Sequence, residues 1–399
     1  MPGVAVTSRG TEPRVERARR AVAVVFMLNG LAFASWAARA PAIRDELGLS
    51  SAAFGVLLLC FSVGSLTGLP VSGLVVGRFG PARSVLAGSF LASAGLAAAA
   101  ISIFAGNVAG TVPGLVAVGL GISTWDVAMN VQGADVERRL GRSLMPRLHA
   151  GFSLGTVVGA GLGALAAAAG VPVGTQLLLT AGAGFAVIVL AVRAFVPPEP
   201  TADAAQAGGA GSVLRAWLEP RTLLLGLMVL AFALSEGIAN DWLAIAVVDG
   251  YDGSEALGAA TFGVFVAAMT LARVTGGSML ARWGRTRVLR VGACVAAIGA
   301  LLVVLDVGLV LAMTGAALWG LGTALGFPVG MSAAADEPAA AAARVAVVSS
   351  IGYTAFLAGP PLIGSLADAT TILYALLVVP VVLVVGFVFA ESSRPRTSS

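Results

Sequence analysis

Two carboxylic acids stand inside runs that otherwise hold almost nothing but apolar residues. Asp126 lies in Ser123-Thr124-Trp125-Asp126, and Glu236 in Leu234-Ser235-Glu236-Gly237. A carboxyl group in such a run can take and release a proton or accept hydrogen bonds from hydroxyls. It can also be a structural acid paired with an arginine. If the run is a helix, Gly119, Ser123, Asp126, Asn130 and Gly133 fall on one small, polar face. Asn240 follows Glu236 by about one helical turn. Three further groups are candidates. Arg39 and Asp241 could form an ion pair that closes a gate, or could face headgroups and water separately. Arg273 needs an anion, and Asp336 or Glu337 is the expected partner, as a structural brace. His149, the only histidine, titrates near neutral pH, yet its place at a run's end suits packing or the membrane interface.

The elements that must position these groups are membrane spans. Hydrophobic residues make up 58% of the chain and charged residues 11%. A bilayer core of about 30 Å needs roughly 20 apolar residues per helix. Twelve such runs are expected, over 21–38, 52–76, 84–104, 108–134, 147–170, 173–194, 222–247, 256–281, 287–305, 308–334, 344–366 and 371–391. They are continuously apolar and do not alternate with period two, so they predict helices and not barrel strands. The fold class is an all-α membrane protein. An ionisable group inside such a span costs roughly 2.5–3.5 kcal/mol on insertion scales, which makes function the default reading for Asp126 and Glu236.

The charge pattern sets the orientation. All 24 basic residues are arginine. They gather before the first span (Arg9, Arg14, Arg17, Arg19, Arg20) and in alternate loops, for example Arg138, Arg139, Arg142 and Arg147, or Arg282, Arg285, Arg287 and Arg290, with Arg394 and Arg396 after the last. The opposite loops hold Arg39 and Arg44 with Asp249, Asp252, Glu255, Asp306 and Asp368. This positive-inside pattern predicts both termini in the cytoplasm. It also argues against a nucleic-acid reading of the net charge of +4. Cys60 and Cys294 fall in apolar runs and read as small buried hydrophobes. No metal-ligand cluster, phosphate loop or nucleophile triad is present in the pattern, so neither a metal, a cofactor nor an enzyme activity is expected.

The chain repeats itself at a spacing of about 200 residues. Gly77-Arg78-Phe79-Gly80-Pro81-Ala82-Arg83 is echoed by Ala281-Arg282-Trp283-Gly284-Arg285-Thr286-Arg287, and Gly119-Leu120-Gly121 by Gly320-Leu321-Gly322. Asn29-Gly30 with Trp36 is echoed by Glu236-Gly237 with Trp242. The expected organisation is a tail over 1–20, a six-helix half over 21–196, a flexible Pro/Ala/Gly-rich linker over 197–219, a second half over 220–391 and a tail over 392–399. Gly64 and Gly68, and the series Gly151, Gly155, Gly159 and Gly163, are spaced for close helix contact. Pro328, Pro360 and Pro361 should kink their helices.

Over its full length the sequence resembles the major facilitator superfamily, and within it the fucose-permease-like sugar:proton symporters of bacterial inner membranes. Ala34-Ser35-Trp36-Ala37-Ala38-Arg39-Ala40-Pro41, Glu236-Gly237-Ile238-Ala239-Asn240-Asp241-Trp242, Trp319-Gly320-Leu321-Gly322 and Gly359-Pro360-Pro361 carry the likeness. The resemblance implies two parallel six-helix halves and a secondary transporter working by alternating access in the plasma membrane. It implies a central site around Asn29, Asp126, Glu236 and Asn240, with Asp126 and Asn130 matching a family carboxylate–amide pair. Asp126 and Glu236 are then the expected proton-coupling groups. Ser123 and the aromatic faces of Trp36 and Trp319 complete the expected substrate site, although packing or interface anchoring suits the tryptophans equally. The expected partners are a small solute, possibly sugar-like, protons and lipid, with the chain a monomer. A proton-antiport exporter is the alternative, disfavoured because Gly159-Ala160 stands where exporters carry Gly-Pro. A transport-inactive receptor is the alternative from another class. The acidic residue of the superfamily's loop motif is replaced by Gly77 and by Ala281, so its gating salt bridge does not carry over.

Overall fold

A computed structural model describes residues 12–141, 144–197, 214–337 and 340–395. Arg9, Arg142, Arg396 and most of the expected linker lie outside the described residues.

The described chain is built of helices. In order they are α1 (Glu12–Ala37), α2 (Ala40–Glu46), α3 (Ser51–Phe104), α4 (Val108–Leu140), α5 (Met145–Ala168), α6 (Val173–Ala191), α7 (Pro220–Gly250), α8 (Glu255–Trp283), α9 (Arg285–Val304), α10 (Leu309–Thr323), α11 (Gly326–Ala334), α12 (Ala341–Ala369), α13 (Ile372–Ala375) and α14 (Val378–Phe389). Among the described residues, 11 stretches are long and apolar enough to cross a membrane. One of them, α3, has 54 residues and breaks at Gly80 (φ 78°, ψ 164°), so it is two spans and the total is twelve. The first span begins earlier than the apolar run suggests. Arg14, Arg17, Arg19 and Arg20 lie on α1, where Glu16 pairs with Arg19 and Arg20 across single turns.

The internal repeat is physical. Gly284, the echo of Gly80, takes the same backbone conformation (φ 75°, ψ 160°), a region open in practice to glycine alone. Each is followed by a helix and preceded by an arginine lying over an aromatic ring, Arg78 on Phe79 and Arg282 on Trp283. A Cβ at Gly121 would sit 2.6 Å from the Gly88 carbonyl oxygen, and one at Gly322 would collide with the Gly292 carbonyl in the corresponding place. The small residues therefore let two helix pairs touch backbone to backbone in the same way.

By internal contacts the chain forms two compact units that do not follow sequence order. One takes the described residues up to Ala34, Val63–Gly159, and the described residues from Gly174 up to Pro200. The other takes Ser35–Ser62, Ala160–Val173 and the described residues after Thr201. In the first, Phe26, Trp125, Met129, Leu148 and Ile188 form the core. There α1 and α5 meet at Gly30, Gly155 and Gly159, whose Cβ positions would strike the Phe152, Met27 and Leu31 carbonyls. In the second, α7 is central and packs on α8, α11, α12 and α14. Of its most apolar stretch, 72% is buried. The expected tenth span is broken between α10 and α11, and the twelfth between α13 and α14.

Candidate functional site

In the first unit the polar face of α4 forms as its spacing predicts. Asn130 Nδ2 donates to the Asp126 carbonyl at 2.9 Å and reaches Asp126 Oδ1 at 3.4 Å. Ser123 Oγ donates to the Ser65 carbonyl at 2.7 Å and lies 2.9 Å from Ser65 Oγ. Gly68 permits this, since a Cβ there would press on Ser123. Asp126 is half-buried and makes no ion pair among the described residues. Asn29 is buried, with Nδ2 lacking a hydrogen-bond partner among the described residues. Gln132 is fully buried with both side-chain polar atoms in the same position. Nothing in the spacing had singled it out. An unsatisfied buried group costs about 1–3 kcal/mol.

In the second unit Glu236 is paired. Arg273 Nη2 donates to both of its carboxylate oxygens at 2.9 Å. This replaces the expected partners of Arg273. Asp336 is held by Arg221 and Arg285 at 3.1 and 2.8 Å, and Glu337 by Arg344 at 2.9 Å. Arg273 Nε also donates to the Ala324 carbonyl at 3.3 Å. The reason lies four residues on. Pro328 has no N–H to give the Ala324 carbonyl, so the helix opens there and a side chain takes the vacated place. Pro360 repeats the device: four residues before it, the Phe356 carbonyl accepts from Ser62 Oγ at 2.8 Å.

Trp319 is fully buried. Its Nε1 donates to Ser235 Oγ at 2.8 Å, and its ring meets Phe265 edge-on. Trp36 is half-buried. Asn240 Oδ1 is buried without a partner among the described residues, and the adjacent Asp241 is half-buried with no ion pair among them. His149 is exposed and packs edge-on to Phe26. Cys294 is exposed, not buried as its apolar run suggested, and Cys60 is partly so.

The gate pairing also differs from expectation. Arg39 does not pair with Asp241. Its Nη2 lies 3.1 Å from Glu255 and donates to the Val171 carbonyl at 3.1 Å. The side chain is 4% exposed, so the ion pair is shielded on the arginine side. Close by in sequence, both Arg44 Nη atoms bond the two oxygens of Asp249. The Asp249 carboxylate raises the Arg44 pKa above that of an ordinary arginine, against the opposing effect of burial. Asp368 accepts from the Ser51 and Ala52 N–H groups at 2.9 and 3.1 Å, placing a negative charge at the start of α3. All of these contacts lie within one unit, and together they tie α1–α3 segments to α7, α8 and α12. Sequence reasoning missed Ser62, Glu255 and Asp249 as partners. Their types were visible, their neighbours were not.

Twelve apolar spans, a twofold internal repeat and a few ionisable groups within the spans define a polytopic membrane protein. The comparison with known families agrees. The Major Facilitator Superfamily model matches residues 22–305, and the chain belongs to that superfamily of transporters. A transporter of Sinorhizobium fredii, y4wD, is 34% identical over 366 residues, covering 88% of this chain and 92% of that one. Among solved structures, a mutant of the nucleoside transporter NupG superposes with a TM-score of 0.81 at 13% identity, over 94% of this chain and 99% of the other. A mutant of the E. coli fucose:proton symporter FucP does so with a TM-score of 0.66 at 17% identity, over 95% and 98%. These two likenesses bear on the fold alone. The relatives are transporters and not enzymes.

Proposed function

We propose that this chain is a proton-coupled symporter of a small, hydroxyl-rich solute, sugar or sugar-like, working by alternating access between halves 21–196 and 220–391. In this reading both termini face the cytoplasm of a bacterium. The observation that carries it is Asp126: an acid within a spanning helix, bonded by the Asn130 amide and by no arginine among the described residues. A structural acid would be expected to hold a cation there. An acid without one can exchange a proton at little cost to the fold. In the first unit Asn29, Ser123 and Asn130 supply amide and hydroxyl groups suited to a polyol; in the second, Asn240 supplies a further amide and Trp36 an apolar face. Glu236 is assigned to the substrate side through its arginine, and Asp241 is a second acid able to hold a proton. The nucleoside and fucose transporters among the structural neighbours also carry solutes rich in hydroxyls. Arg39–Glu255 and Arg44–Asp249 form the outer gate.

The test is Asp126→Asn in proteoliposomes, after a thermal-shift screen of sugars and nucleosides has found a ligand. The asparagine mimics the protonated acid. The variant should lose uphill accumulation driven by a pH gradient and keep exchange at equal concentrations. Uphill accumulation that survives the substitution would return Asp126 to a structural role.

A further inference from the structure

We infer that the Arg-rich end of the second unit carries a docking site for an anionic phospholipid, in a pocket between the start of α9 and the end of α14. The cavity measures about 600 Å³. Arg285, Arg287, Arg290 and Arg394 line it with Glu391 as their one acid, which leaves three positive charges in excess. Part of this charge is already spent within the protein. Arg285 holds Asp336 and Ser332, and Arg290 and Arg394 share Glu391 at 3.4 and 3.0 Å. Arg287 is exposed and makes no ion pair among the described residues. The other wall is apolar: Val291 is 54% exposed, and Phe387, 39% exposed, keeps one ring face free while the Arg290 guanidinium lies 5.4 Å over the other.

A phosphate in solution would need only the arginines. The apolar wall is what selects a lipid. The pocket sits where two spans end, at a level marked by the exposed Trp283, so a headgroup phosphate can meet Arg287 and Arg394 while its acyl chains run along Val291 and Phe387. The α9 N-terminus opens into the same space without a side-chain cap, and its free N–H groups add to the attraction. The charge distribution assigns this end to the cytoplasmic leaflet, where anionic lipids gather. The site is independent of the proton and solute groups above, and its failure would leave them untouched.

Cys294 lines the pocket, is exposed, and offers a native reporter. The full chain carrying Cys60→Ala would be delipidated in detergent, and maleimide labelling of Cys294 followed against added cardiolipin, phosphatidylcholine or glycerol 3-phosphate. Cardiolipin should slow labelling, while the other two should leave it within about twofold. Near a membrane surface each arginine contributes about fivefold in lipid affinity. Arg287→Gln and Arg394→Gln should each therefore shift the cardiolipin titration by about that factor. Both side chains reach solvent and neither belongs to the buried core, so folding should survive. Arg83→Gln, in the other unit, should shift nothing. Equal protection by phosphatidylcholine would mean unselective lipid contact. Protection by glycerol 3-phosphate would mean a soluble-anion site. Titrations unmoved by the arginine substitutions would mean that charge plays no part. Any of these overturns the inference.

Discussion

The Glu236–Arg273 pair allows a prediction with a worked magnitude. One guanidinium nitrogen spans both carboxylate oxygens at 2.9 Å, and the side chains are 18% and 29% exposed. Two unit charges at about 4 Å attract by about 4 kcal/mol at an effective dielectric near 20. Desolvation of both offsets much of this, so the pair adds little over an apolar replacement. Breaking it from one side is different, because one charge then stays in the membrane interior alone. Fully buried pairs lose about 3–5 kcal/mol in that case, and the partial exposure here lowers the figure to about 2–3 kcal/mol. Arg273→Met gives up a further bond of about 0.5–1 kcal/mol to the Ala324 carbonyl. Glu236→Gln and Arg273→Met should thus each lower stability by about 2–4 kcal/mol, and the double variant should lose no more than the worse single. The coupling, about 2 kcal/mol, is read from a double-mutant cycle of unfolding in detergent. Additive losses would show that the two side chains do not depend on each other, and the derivation would fail.

Three other outcomes follow from the same coordinates. Ser62→Ala should cost about 1 kcal/mol by depriving the Phe356 carbonyl of its donor, and should cost almost nothing once Pro360→Ala has restored a backbone N–H to that carbonyl; equal losses in both backgrounds would refute the link. Arg44→Cys with Asp249→Cys should cross-link under mild oxidation and stop transport until reduced, whereas transport by the cross-linked protein would show that these ends need not separate. Gly155→Val should prevent folded expression, because its Cβ would strike the Met27 carbonyl, while Gly161→Ala, with nothing within 4 Å, should stabilise by about 0.5–1 kcal/mol; the yield of monodisperse protein checks the first and thermal unfolding of the purified protein the second.

The number of spans and their rough ends were legible because a bilayer demands long apolar runs and the loops between them are short. Gly80 and Gly284 were legible as a repeat, and their shared conformation explains why glycine stands at both. The partners of the charges were a different matter. Sequence gives depth along a helix to within a turn, which put Arg39 near Asp241 but equally near Glu255. It does not give rotation. α7 is apolar almost all round, so nothing in its pattern says which face carries Glu236. The guess for Arg273 went to Asp336 on depth alone, and two other arginines hold Asp336. Cys294 failed for a related reason: apolar runs are buried in protein on one side and meet lipid on the other, and a small apolar residue suits both.

The prolines show what a structure adds to a correct expectation. Pro328 and Pro360 were expected to kink their helices, and each frees a carbonyl four residues earlier. In a bilayer that carbonyl must find a donor within the protein. It finds Arg273 in one case and Ser62 in the other. Polar side chains are so scarce in these spans that such duties nearly exhaust them. Ser62 is committed to a backbone, Ser235 to Trp319 and Thr323, and Arg273 to Glu236 and a broken helix. Among the described residues, Asn29 Nδ2, both Gln132 polar atoms and Trp125 Nε1 in the first unit, and Ser35 Oγ, Asn240 Oδ1 and Trp242 Nε1 in the second, are buried without a hydrogen-bond partner, while Asp126 and Asp241 make no ion pair. Each buried polar atom without a partner costs about 1–3 kcal/mol. Under the proposed function, a bound proton or solute would offset that cost at Asp126 and Asn29 in the first unit.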